Sequence, residues 1–286
     1  MIILATGVFA DDNVCITGVV EWDTLRIKSE VSLDLVKAGI KLPSGRTQGE
    51  SLLNSGYLRL IQPSILDLQA DSSSTVADLI NRGEFSLLEA DNLALKAQSV
   101  PPALSSDLRK ISNSYTTDIS DITAALMRHT RPSPVMRTLI PVSSAQYTGI
   151  IVIASESLPL HGMRSGALAV PCLFPKIWDS NMNLIYERNM LETNNSTMVR
   201  YAPLQSIFQN NPSGLTPELI EVVGNRPLRI FAVGVYGINP TDLVIDNRDA
   251  KLIISSNDNR RLLSEGRVVF VLNETVLKKE FSTNEK

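Results

Sequence analysis

The strictest constraint on this chain is an alternation. Leu25, Ile27, Val31, Leu33 and Leu35 fall on one side of a two-residue period; Arg26, Lys28, Glu30, Ser32 and Asp34 fall on the other. Successive side chains of an extended strand point to opposite faces, so this stretch is a long strand with one dry and one wet face. Val14–Val20 is a second apolar run, and Glu21-Trp22-Asp23-Thr24 joins the two. A β-hairpin follows, with Trp22 closing one end of its core.

A dry strand face needs a cover. After Pro43-Ser44-Gly45, the stretch Thr47-Gln48-Gly49-Glu50 has capping-box spacing, and Leu52, Leu53, Gly56, Tyr57, Leu60 and Ile61 recur at helical intervals. An amphipathic helix across the hairpin is predicted, kinked or ended by Pro63. Gly49 and Gly56 lie on or beside its apolar stripe, where a missing side chain permits close approach to the sheet. Ser74 or Thr75 caps a short helix through Asp78, and Ser86 with Glu89 caps another from Leu87 to Ala97. Further helices are expected after Ser105 and from Asp118 to Leu126, the latter with His129 in its last turn. Residues 85–141 thus read as a helical insertion, closed by the linker Arg131-Pro132-Ser133-Pro134 and by Pro141.

The pattern then changes. Tyr147–Ala154 is almost continuously apolar, as for a central strand buried on both faces. Leu158–Ala169, with His161-Gly162-Met163, reads as a loop. Cys172–Trp178 and Leu184–Tyr186 flank an Asp/Asn turn and form a second hairpin. Leu191–Arg200 is a polar loop or edge, and Pro217–Val223 a helix with proline at its start. Leu228–Tyr236, Leu243–Ile245 and Val268–Leu272 are strands; the segment from Asn247 through Ile253 reads as helix or strand. The expected fold class is therefore α+β. An N-terminal α+β domain (11–141) carries the hairpin, its helix and the insertion; a mainly-β C-terminal domain (145–276) follows, and residues 277–286 form a frayed tail.

Composition excludes several function classes. Of 286 residues, 43% are hydrophobic and 20% charged, a globular balance. A net charge of −3 provides no basic field for nucleic acid. Two cysteines, Cys15 and Cys172, make no disulfide framework, and two histidines, His129 and His161, make no multi-histidine metal centre. Phosphate-loop, dinucleotide and nucleophile-elbow motifs are missing. No catalytic, cofactor-binding or metal site residue is assigned, and no cofactor is expected. Met1–Ala10 (MIILATGVFA) is uncharged and apolar, with small residues at its end; it reads as a signal-peptide remnant, with a first buried strand as the alternative. No later stretch has the length of a transmembrane span.

One resemblance carries further. Gly18-Val19-Val20-Glu21-Trp22, the strand Leu25–Leu35, Pro43-Ser44-Gly45-Arg46, the helix Ser51–Leu66 and Asp71-Ser72-Ser73-Ser74-Thr75-Val76-Ala77-Asp78 follow in an order that resembles bacterial envelope lipoproteins of the LPP-twenty type and the N-terminal domain of flagellar assembly protein T. Tyr147-Thr148-Gly149, Phe174-Pro175-Lys176-Ile177-Trp178-Asp179, Asn225-Arg226-Pro227-Leu228, Asp249-Ala250 and Arg267–Leu272 resemble segments appended to that module in spirochaete-like envelope proteins. The resemblance implies a non-catalytic periplasmic protein near the flagellar apparatus, and carries over no catalytic residue. Envelope or flagellar proteins are the expected partners, docking on strand edges or on Leu191–Arg200. Two alternatives stand beside it: a cell-wall or carbohydrate-binding module stacking sugars on Trp22, Trp178 or Tyr201, and a hydrolase using His161.

Overall fold

The computed structural model describes residues 13–138 and 143–283. The expected leader Met1–Ala10 and the closing Pro141 lie outside the described residues. Strands β1 (Val14–Glu21) and β2 (Arg26–Asp34) form the expected hairpin in unbroken antiparallel register, Val14 opposite Leu33 and Glu21 opposite Arg26. The alternation decides which face is dry: Ile27, Val31 and Leu33 are buried, and Arg26, Lys28 and Glu30 are exposed.

Helix α1 (Arg46–Leu66) covers that face, burying Gly49, Leu53, Tyr57, Leu60, Ile61 and Ile65. A Cβ at Gly49 would sit 3.2 Å from Leu35 Cδ2, and one at Gly56 3.2 Å from Val14 Cγ1, so both glycines hold the helix close to the sheet. Two expectations change here. The helix starts at Arg46, not behind a Thr47 cap, and Glu50 pairs instead with Arg46 at 2.9 Å. Pro63 does not end it; the helix continues to Leu66, held down by buried Ile61 and Ile65. Helices α2 (Val76–Asn81) and α3 (Leu87–Ala94) both carry complete capping boxes, Thr75 with Asp78 and Ser86 with Glu89.

Two short strands follow, β3 (Gln98–Ser99) and β4 (Ala103–Leu104). The helix expected after Ser105 is instead β5 (Lys110–Asp118), paired with β2 over nine residues. Its buried side alternates Ile111, Asn113, Tyr115 and Thr117, and the polar members hide the period of two. Helix α4 (Ile119–Leu126) starts on an Asp118 cap, and His129 lies beyond its end rather than in its last turn.

The second half holds a seven-stranded mixed sheet. Its strands are β6 (Ile150–Ala154), β9 (Ile177–Asp179), β10 (Leu184–Tyr186), β11 (Arg200–Pro203), β12 (Leu228–Tyr236), β13 (Asp242–Ile245) and β14 (Val268–Leu272), in spatial order β10-β9-β13-β12-β6-β14-β11. A small hairpin, β7 (Leu158–Pro159) with β8 (Gly166–Ala167), lies outside it, in the region read as a loop. β12, β6, β14 and β11 run parallel. Helix α5 (Pro217–Val223) covers Ile151, Ile153, Val269 and Val271. Helices α6 (Asn247–Ile254) and α7 (Asn257–Ser264) join the core on the other face, with Val152 and Phe270. Every residue of β6 and β14 is buried, as doubly covered parallel strands require.

The frayed tail is the main correction. Lys278–Thr283 is a strand, β15, that returns to the first half and pairs with β1 from Glu21 opposite Lys278 to Ile16 opposite Thr283. The first sheet therefore reads β15-β1-β2-β5-β3, with β4 also on β5. The fold is α+β, with a helix-covered sheet first, into which β5 of the region read as a helical insertion is built, and a mainly-β unit second. No helix among the described residues is long and apolar enough to cross a membrane.

Candidate functional site: an apolar groove where the halves meet

The two halves are joined by backbone. Leu173 N–H donates to Gln69 O at 2.9 Å, Phe174 N–H to Ala70 O at 2.8 Å, and Asn239 N–H to Ser72 O at 2.9 Å. Gly237 has φ +118° and no room for a Cβ, which would lie 2.4 Å from Ser72 Cβ, so the turn after β12 seats directly on the Asp71–Ser74 loop. Trp22 is buried at this joint, its ring edge-on to Tyr201 at 5.8 Å.

Beside the joint lies a groove of about 570 Å³. Val20, Trp22, Leu68, Val170, Pro171, Val276 and Phe281 supply its apolar wall, and Pro63, Ser64 and Asp67 the end of α1. It lies between the end of α1 and β15, beside the part of the sheet (β1, β2 and β5) on which α1 packs. Gly18 lets the Phe281 ring lie flat against β1; a Cβ there would be 2.4 Å from Phe281 Cζ and 2.6 Å from Lys28 O. Of the charges lining it, Asp67 Oδ2 and Lys279 Nζ pair with each other, and Lys278 has no ion pair among the described residues. Glu21 is paired with Lys28 at 2.7 Å. Burial pushes the Glu21 carboxyl up, but the bonds from Lys28 and Thr24 and the charges of Lys28 and Lys278 outweigh it and hold it below its usual range. A pocket of this size and character takes apolar side chains or an apolar ligand.

A second cluster is fully buried. Asp242 accepts from Lys176 N–H, Trp178 Nε1–H and Thr241 Oγ1–H, each at 3.1 Å. Burial raises its pKa despite these bonds. Tyr201 Oη donates to Cys172 O at 2.7 Å and accepts from Cys172 N–H at 3.0 Å. Burial pushes the Cys172 thiol and the Tyr201 hydroxyl well above their ordinary values, which makes both inert at neutral pH. This cluster pins the Cys172–Trp178 segment.

The residues singled out from sequence fall in separate places. Tyr201 is buried, and Trp22, 5% exposed at the groove wall, shows too little ring to stack a sugar; Trp178 is half-buried, tied to Asp242, with Lys176 Nζ 5.8 Å from its ring centre. His161 lies on the β7–β8 loop, edge-on to Tyr236 at 5.9 Å, with no hydrogen bond from its ring to a serine or carboxylate among the described residues. His129 Nε2 is 2.7 Å from Leu191 O and donates to it, bridging the halves. In the Leu191–Arg200 loop, Leu191, Met198 and Val199 are buried, and Thr193, Asn194 and Ser196 are exposed. Among the described residues no three His, Cys, Asp or Glu side chains gather as metal ligands. Sequence reasoning missed the groove because it needs β15, whose short charged sequence carries no strand signal.

The fold and its groove define a class: an α+β protein of two halves sharing one core, with an apolar recess at the joint. Residues 13–125 match the family model for the N-terminal domain of Treponema pallidum Tp0624, and residues 149–274 match the model for the second domain of the same protein. The chain is thus similar, in order and over most of its length, to two successive domains of a spirochaete protein. No curated protein matches it.

Proposed function

We propose that this chain is a periplasmic envelope protein that acts without catalysis, by presenting shaped surface to protein partners. The observation that carries this reading is the groove at the joint: mainly apolar, with Lys279 and Asp67 on its wall paired to each other, and bordered by an open strand edge. Such a recess suits apolar side chains of a partner better than an ionic substrate. The likeness of Gly18–Asp78 to LPP-twenty lipoproteins and flagellar assembly protein T supports placing those partners in the envelope, near the flagellar apparatus. Proximity labelling in cells, with fractionation of the same preparation, tests it. Envelope proteins should dominate the labelled set; recovery in the cytoplasm with the first ten residues intact ends the export reading. A carbohydrate-binding role would rest on Trp178 alone, and glycan binding unchanged by Trp178→Ala removes that role.

A further inference from the structure

Resting on that reading, we infer that the free edge of β15 is a strand-addition site for an extended segment of a partner protein, with the groove beneath it receiving the partner's apolar side chains. Sheet edges are normally blunted by brevity, bulges, proline, charged side chains or cover. The other edges here are blunted by brevity or proline; β15 carries charges, but Lys279, the one on its dry face, is paired with Asp67. β3 and β4 have two residues each, β10 has three with a register shift against β9, and β11 has four and ends in Pro203. β15 runs six residues in unbroken register with β1, and its outward backbone groups have no hydrogen-bond partner among the described residues. Lys278, Lys279, Glu280 and Ser282 are exposed.

Side chains set what fits. In an added strand, residues directly opposite share a face. Those opposite Lys279 and Phe281 lie on the dry side, against Val20, Trp22, Leu68 and Val276, and should be apolar. Lys279 is paired with Asp67, so the charges these two bring to the groove wall offset each other. Those opposite Lys278 and Glu280 lie on the wet side and should be acidic and basic, respectively. A second copy of this chain fits badly. The register that puts its Phe281 opposite Lys279, into the groove, sets Glu280 against Glu280. The register that aligns Phe281 with Phe281 sets Thr283 opposite Lys279, a polar residue where the groove takes an apolar one. A foreign strand alternating apolar residues with an acid and a base avoids both conflicts.

The test is selection of a random displayed peptide library on the whole chain, followed by amide hydrogen exchange with the enriched peptides. Enriched sequences should alternate apolar residues and protect the amides of 278–283. N-methylation of the peptide's ladder-forming amides should weaken binding by about tenfold or more, since it removes main-chain bonds and keeps the side chains. The exposed charge reversal Glu280→Lys, on a residue that faces only Val19 on β1, should leave the thermal melt in place and replace the selected base opposite it with an acid. Binding indifferent to N-methylation overturns the inference. So does a dimer by light scattering that protects the same amides without peptide, which hands the edge to a second copy. Peptides that protect 193–196 or β11 instead overturn this inference and leave the interaction reading standing; no enrichment anywhere overturns both.

Discussion

Gly18 shows how one absent side chain shapes this protein. It sits on β1 opposite Phe281, and the ring occupies the space a Cβ would need. Because Lys28 O presses from the other side, Gly18→Val cannot be relieved by the ring alone. It should cost on the order of 1–3 kcal/mol in urea unfolding and speed exchange of the β15 amides. Asp242 makes the opposite point, a buried charge kept by its donors. In Asp242→Asn, an amide N–H would face Trp178 Nε1–H or Lys176 N–H, so a loss of ~1–3 kcal/mol is expected. The pH dependence carries a clear sign. Burial raises the native pKa of Asp242 above its unfolded value, so its penalty grows as pH rises from the ordinary carboxylate range through the native value, and lifts on acidification. Asp78 and Glu89 run the other way. The backbone N–H groups of Thr75 and Ser86 lower their pKa values, so the stability they supply is present above the ordinary carboxylate range and lost as pH falls. Stability measured against pH in Asp242→Asn should lose the first trend and keep the second.

Among the elements, α2 was legible but for its cap, which the sequence left between Ser74 and Thr75 and the structure gives to Thr75. Thr75 N–H donates to Asp78 Oδ2 at 2.8 Å and Asp78 N–H to Thr75 Oγ1 at 3.3 Å, as the spacing requires. Thr75→Ala should therefore cost about 1 kcal/mol, read by chemical denaturation. The hairpin β1–β2 and the buried β6 were equally plain, because period and continuous apolarity report burial directly. β5 and α7 were not. β5 turns Asn113 and Thr117 into the core beside Tyr57, whose hydroxyl lies 2.8 Å from Thr117 Oγ1. A core that includes polar groups erases the hydrophobic pattern by which a strand is recognised. α7 buries only Asn259, Leu262 and Leu263, and Asn259 earns its place through hydrogen bonds to Ser144 and Leu252 that no local sequence announces.

For the molecule as a whole, β15 is decisive. It closes the first sheet after the chain has built the entire second half, so the two halves share one core and are tied at both the Asp71–Ser74 loop and the terminal strand. Truncation after Leu277 should bare β1 and the Val20–Trp22 wall. Tryptophan emission should shift to the red and the thermal midpoint should fall; unchanged emission and melting would show that β15 adds nothing to the core.

What the sequence determined by itself was local: the strands and helices whose side-chain period matches their burial, the caps whose donors lie three residues away, and the α+β order that follows. What only the tertiary structure decided was the return of β15, the joint and the groove. The physical reason is range. Capping and amphipathic alternation act between near neighbours, whereas Phe281 over Gly18, Lys279 on Asp67 and Trp22 against Tyr201 join residues that meet only once the whole chain has folded.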